Sequence, residues 1–205
     1  MHLLELFSGT GSVGKVAKKN GYTITSVDNS NKFQPTHLQD ILKWDYKKYP
    51  RGYFHMIWAS PPCTEFSKAK TTGHRDIEGA MKVIMRTLCI LRYFKPKWYA
   101  LENPVGLLRH EKAMKESGMN RVTVSYCKYG YRYRKDTDIW SNIPFKAMVC
   151  RKGCRCIWAK STGRHSTTVQ QGKSSGGHPT TSTVCLHQRY SIPPKLILTM
   201  LEFTL

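Results

Sequence analysis

His2-Leu3-Leu4-Glu5-Leu6-Phe7-Ser8-Gly9-Thr10-Gly11-Ser12-Val13-Gly14 is the stretch on which the reading of this 205-residue chain turns. An apolar run gives way to a loop of Gly and Ser, and a helix-like segment follows to about Asn20, where Gly21 stops it. Tyr22-Thr23-Ile24-Thr25-Ser26-Val27 is rich in β-branched residues, reads as a second strand and ends at Asp28. Strand, glycine loop, helix, strand and acid, in that order, make a nucleotide-type βαβ unit. The glycines permit a tight turn and let a ligand approach the backbone. The helix N-terminus offers free N–H groups, and an acid at the next strand end can accept both hydroxyls of a ribose. Surface turns also collect Gly and Ser, so it is the surrounding order that favours a cofactor loop.

The next strand candidate is Met56-Ile57-Trp58-Ala59, a short continuous apolar run of the kind buried in parallel sheets. It delivers Ser60-Pro61-Pro62-Cys63-Thr64-Glu65-Phe66-Ser67. Two prolines stiffen the backbone immediately before the cysteine. Cys63 therefore stands on a rigid turn at the carboxyl end of a strand, where open α/β sheets hold their ligands. A cysteine is by type either a small core residue or a nucleophile, and position is what favours the second.

Further along, Thr71 to Asp76 reads as a polar, mobile loop. Apolar residues at helical spacing from Gly79 to Phe94 predict a packing helix that ends at Pro96, with Cys89 in the core. Trp98-Tyr99-Ala100-Leu101 predicts a strand that delivers Glu102-Asn103-Pro104 to the same edge as Cys63. A helix over about Leu107 to Ser117 and a strand Arg121–Ser125 follow. In Tyr129 to Trp140 arginine alternates with aromatics; on a strand, Arg132 and Arg134 would face one side. That pattern suits a nucleic-acid surface or an ordinary charged strand face. After Ser191-Ile192-Pro193-Pro194 a closing helix is expected, with proline in its first turn.

The charge balance bears on the partner. Thirty-three Lys and Arg stand against thirteen Asp and Glu, a formal net charge of +20. Such a surplus favours a polyanion, most simply nucleic acid. No run is long and apolar enough to span a bilayer, so no membrane partner is expected. The N-terminal apolar run is short and acidic for a secretory signal, so an intracellular protein, in host or viral cytoplasm or in the nucleus, is expected. Its seven cysteines are then expected to be free thiols, a nucleophile or metal ligands rather than disulfides.

Taken together, these blocks resemble the DNA (cytosine-5)-methyltransferase family, in particular its short phage- and virus-type members. Glu5-Leu6-Phe7-Ser8-Gly9-Thr10-Gly11 resembles the cofactor loop, Pro61-Pro62-Cys63 with Phe66-Ser67 the nucleophile loop, Glu102-Asn103 the Glu-Asn motif and Arg132-x-Arg134 the paired-arginine motif. The resemblance runs from about residue 1 to 142. It implies a Rossmann-like, S-adenosylmethionine-dependent α/β fold with a mostly parallel twisted sheet and a small irregular target-recognition segment. It implies S-adenosyl-L-methionine held by Phe7, Ser8, Gly9, Thr10, Gly11, Asp28, Asn29, Asp40, Ile41 and Pro61. It implies Cys63, Glu102, Arg132 and Arg134 as the catalytic set: Cys63 adding to C6 of a flipped-out cytosine, protonated Glu102 donating near N3, and the arginines stabilising charge. DNA is the implied partner, with RNA as the alternative substrate and a non-catalytic nucleic-acid-binding protein of the same fold as the rival; a monomer is expected. Thr64, Pro104 and Gly130 depart from the family's usual Gln, Val and Gln at those places.

Three regions are expected: a catalytic, cofactor-binding domain over residues 1–144, a small basic Cys/His-containing segment over 145–188, and a closing helix over 189–205. The middle segment is irregular between Ser161 and Thr183 and carries Cys150, Cys154, Cys156 and Cys185 together with His165, His178 and His187. Thiolates and imidazoles are zinc ligands, and a small irregular segment gains most from a metal staple. The four cysteines are the expected ligands of a structural zinc, against free thiols in a basic loop.

Overall fold

The computed structural model describes residues 1–151, residue 165 and residues 186–204. Seven strands form one sheet: β1 (His2–Leu6), β2 (Thr23–Asp28), β3 (His37–Leu38), β4 (Met56–Ala59), β5 (Trp98–Pro104), β6 (Arg121–Ser125) and β7 (Asp136–Ser141). Their order is β3-β2-β1-β4-β5-β7-β6. The first five run parallel, and β7 is antiparallel to both β5 and β6. From β1 the chain adds β2 and β3 on one side and β4 and β5 on the other. The gap between β1 and β4 is therefore the switch point of the sheet, where such folds open a crevice at the strands' carboxyl ends.

Register sets the level of that edge. Leu6 pairs with Val27 and with Ala59, and Ala59 pairs with Leu101. Phe7, Asp28, Ser60 and Glu102 thus leave the sheet side by side. Strand alternation sends neighbouring residues to opposite faces. Leu3, Met56 and Trp58 pack on one face with α1 (Ser12–Lys19) and α5 (Pro194–Leu201), which contribute Val13, Ala17, Leu196 and Ile197. Leu4, Leu6, Ile57 and Ala59 pack on the other with α2 (Ile77–Phe94) through Ile84, Leu88 and Leu91. Among the described residues no helix is long and apolar enough to cross a membrane.

Several expectations are corrected here. Cys89, expected in the core of α2, is exposed, because the buried stripe of that helix passes through Leu88 and Leu91 on its other side. The helix expected over about 107–117 is a 3-10 turn, Leu108–His110, and one α-turn, α3 (Lys112–Lys115). Glu111 between them is extended, at ψ 136°, and breaks the run. The loop read as mobile before α2 is tied to Glu65, whose carboxylate accepts from the Asp76 N–H at 2.9 Å and pairs with Lys70 at 2.6 Å. Arg75 adds a bond to the Glu65 carbonyl at 2.7 Å. The closing region is two helices, α4 (Leu186–Tyr190) and α5, with Pro194 at the start of the second. The chain from Phe145 to Arg151, expected to open the basic segment, runs along the end of β6, where the Ser125 N–H donates to the Met148 carbonyl at 3.0 Å.

Candidate active site

A cavity of about 390 Å³ lies at the switch point, within the usual size of a small-molecule site. One wall is the loop after β1. Phe7 sits there at φ +57°, a left-handed conformation that costs free energy for a bulky residue and persists where the surroundings impose it. The Gly9 N–H donates to Oδ2 of Asp28 at 2.8 Å, and the Ser30 N–H donates to Oδ1 at 2.8 Å. Each carboxylate oxygen retains a second lone pair, so Asp28 can still accept a diol from the cavity it lines. Phe33 and Tyr190, 40% and 64% exposed, line the same cavity and offer aromatic faces to a planar ring.

Beneath the loop lies Glu5, a buried acid on β1. Its two oxygens accept from the N–H groups of Val13 and Gly14 at 3.2 and 2.9 Å. The N-terminus of α1 has no side-chain cap of its own at Gly11, so Glu5 satisfies two of its orphan donors. A Cβ at Gly14 would stand 2.6 Å from Glu5 Oε2, which is why that position takes glycine. Burial pushes the Glu5 carboxyl up to about 7, against the pull of those two N–H groups.

The opposite wall is the Pro-Pro-Cys loop after β4. Cys63 is half-buried, and its neighbours Pro61 and Pro62 line the cavity with it. The exit of β5 clasps this loop from behind. Asn103 donates through Nδ2 to the Pro61 carbonyl at 3.0 Å, and the Leu107 N–H donates to the Phe66 carbonyl at 2.8 Å. Gly106 allows the second contact: a Cβ there would overlap the Phe66 carbonyl oxygen. Glu102, beside Asn103, turns into the cavity and accepts from the Tyr126 hydroxyl at 2.9 Å. Burial first, and the Glu102 charge second, push the Cys63 thiol above the ordinary thiol range, while Lys135 pulls it down.

The paired arginines do not enter this cavity. Residues 131–135 are not a continuous strand; β7 begins only at Asp136, so the alternation expected to aim Arg132 and Arg134 together is absent. Both are exposed. Arg134 forms a bidentate pair with Asp136, Nε to Oδ1 at 3.0 Å and Nη2 to Oδ2 at 2.6 Å. Lys135 is the cation that lines the cavity, with Nζ 3.8 Å from Glu102 Oε1 and 4.8 Å from the centre of the Tyr126 ring. Of the expected cofactor residues, Phe7, Ser8, Gly9, Asp28, Asn29 and Pro61 line the cavity. Asp40 is exposed and caps its own turn through the Leu42 N–H, and the Ile41 side chain is in the core. Thr10 faces a separate groove of about 600 Å³ between α1 and α5, larger but away from Cys63.

With this geometry in place, comparison with known proteins gives a consistent result. The family described as C-5 cytosine-specific DNA methylase matches residues 1–137. The chain belongs to that family. The "Probable DNA (cytosine-5)-methyltransferase" of Frog virus 3 is 31% identical over 98% of this chain and 99% of its own length. The orphan methyltransferase M.SPRI of Bacillus phage SPR is 30% identical over 64% of this chain, which spans only 32% of that longer protein. In fold, the chain is similar to a candidate DNA modification methyltransferase encoded within an E. coli prophage, with a TM-score of 0.52 at 16% identity over 69% of this chain and 46% of that one.

Lys135, Phe33 and Tyr190 line the cavity and were not among the expected site residues, and Tyr126, buried behind it, bonds Glu102. Phe33 had a signal, since it follows the acid at the end of β2 by five residues; the other three come to the site only through tertiary packing. The expected zinc ligands are only partly in view. Cys154, Cys156 and Cys185 lie outside the described residues. Cys150 is buried, and its neighbours are Cys127 and His165, the three ligand atoms all lying within 4.8 Å of one another. Cys127, outside the expected ligand set, is thus part of a ligand-type cluster.

Proposed function

We propose that this DNA methylase-family chain methylates C5 of cytosine in DNA through a covalent Cys63 adduct at C6 of a flipped-out base. The observation that carries the reading is that one cavity holds the cofactor-type loop with Asp28 on one wall and Cys63 with Glu102 on the other. The donor set fits S-adenosylmethionine: a carboxylate with free lone pairs for the ribose, aromatic faces for the adenine, and a strained glycine loop at a helix N-terminus. Bound there, the cofactor supplies an electrophilic methyl group to C5.

The chain's residues prepare C5 to accept it. C5 of cytosine is a poor nucleophile until a thiolate adds at C6. Cys63 rests as a thiol, since burial and Glu102 raise it; it adds to C6 as a thiolate, its proton passing to solvent as the pocket compensates the negative charge. Lys135 is the nearest cavity cation to do so. Glu102 is held by Tyr126 and by the backbone of β5, where it can hydrogen-bond N3 of the ring and share a proton with it. After methylation the C5 proton is lost to solvent, and Cys63 leaves as thiolate, restoring aromaticity. A base reaches this depth only outside the helical stack. We assign target contacts to the basic stretch 145–188 on its charge.

Methyl transfer from labelled cofactor tests the reading. Duplex DNA should gain 5-methylcytosine on base analysis. Label appearing in RNA alone would replace DNA with the alternative substrate, and label in neither would overturn the proposal.

A further inference from the structure

We propose that Cys127, Cys150 and His165 are ligands of a structural zinc ion that fastens the basic segment to the sheet beside the active site. The three arrive from separate parts of the chain. Cys127 lies in the 3-10 turn Tyr126–Tyr129 that leaves β6, Cys150 on the irregular stretch after β7, and His165 some fifteen residues further. Their donor atoms lie within 4.8 Å of one another, and Cys150 Sγ is 4.0 Å from His165 Nε2. Tetrahedral zinc, with Zn–S near 2.3 Å and Zn–N near 2.0–2.1 Å, brings neighbouring donors to about 3.5–4 Å. Small shifts of the side chains close that gap. Both cysteines are reduced and all but buried, at 4% and 2% exposure. Two thiols and an imidazole converging at a closed site is a donor set that selects zinc over magnesium or calcium.

The surroundings give the ion a structural task. The Cys150 N–H donates to Ser125 Oγ at 2.9 Å, and that hydroxyl donates to Asp136, the partner of Arg134. Cys127 adjoins Tyr126, which holds Glu102. An ion at this point therefore ties the start of the basic segment, the arginine loop and the support of Glu102 into one unit. This proposal stands apart from the catalytic reading, since its readouts are metal content and spectra.

The test uses the full chain, purified without chelator and reconstituted with one equivalent of zinc. One zinc per chain is expected by mass spectrometry after dialysis. Replacement by cobalt should give an intense near-ultraviolet thiolate-to-cobalt band, a measurement that needs no variant. Cys127→Ser and Cys150→Ser should lose that band in part and release metal readily, whereas Cys89→Ser should match the parent. A folded parent protein that retains no stoichiometric metal, or a cobalt form without a thiolate band, would overturn the site. So would a Cys127→Ser protein that keeps full zinc and an unchanged cobalt spectrum.

Discussion

Cys63 is placed by its two prolines and by Asn103, and its acidity is set first by burial and then by two neighbours of opposite sign. Burial raises the thiol, Glu102 raises it further and Lys135 lowers it. The pH dependence follows directly. With its midpoint above an ordinary thiol's value of about 8.5, Cys63 should react slowly with a small alkylating reagent at pH 7 and faster as pH rises through 9. Glu102→Gln should shift that profile to lower pH and speed alkylation at neutral pH, while slowing methyl transfer by about 10²-fold or more. Lys135→Ala should shift it upward. Parallel changes in alkylation and methyl transfer for Glu102→Gln would show that Glu102 acts on the thiol alone. That Cys63 and Glu102 come to one sheet edge was legible in the sequence, because each follows a strand end marked by proline or by an Asn-Pro pair. Lys135 was not: the period-two pattern of Arg and Tyr suggested a strand, and the structure breaks that strand before Asp136.

At the scale of elements, the sheet edge is held by more than strand pairing. Asp138 on β7 is buried and accepts from Arg109 through Nε at 2.8 Å and Nη2 at 2.6 Å, and from Thr123 of β6 at 2.7 Å. One carboxylate thereby joins β7, β6 and the turn after β5. Arg109→Ala leaves that carboxylate buried without its main partner, a change that typically costs about 3–5 kcal/mol. Urea denaturation should report a loss of about that size; a loss below about 1 kcal/mol would show that Arg121 and Thr123 suffice. Four of the five parallel strands were easy to read, β1, β4 and β5 as short apolar runs and β2 as a β-branched stretch; β3, only His37–Leu38, carried no such pattern. The Asp138 cluster was not, since Arg109, Thr123 and Asp138 meet only once β6 and β7 pair antiparallel. The Glu5 cap of α1 was equally hidden: a lone acid in an apolar strand gives no sign of which N–H groups it will meet.

Across the whole molecule, the net charge of +20 sits on a fold whose switch-point cavity is lined by only one cation, Lys135, among the described residues. The other cations of the described residues lie outside that cavity, and on the proposed function the surplus serves phosphate contacts. Neutralising several phosphates releases counterions, so affinity for DNA should fall about 10³-fold or more between 50 and 200 mM salt if six or more phosphates are engaged. Fluorescence anisotropy on a labelled duplex measures this directly. An affinity flat across that range would remove phosphate contacts from the account. The net charge itself is read from the sequence, because charge needs no fold to be counted.

The central claim is that Cys63 attacks the base, and a trap on 5-fluorocytosine tests it most directly. In a duplex already shown to be methylated, the target cytosine is replaced by 5-fluorocytosine and cofactor is added. Fluorine cannot leave as a cation, so elimination stops after methyl transfer and the adduct accumulates. Peptide mapping after denaturation should find the DNA attached at Cys63, with no adduct in Cys63→Ala and an unchanged adduct in Cys89→Ser. Attachment at any other residue, or an adduct that survives Cys63→Ala, would contradict the account.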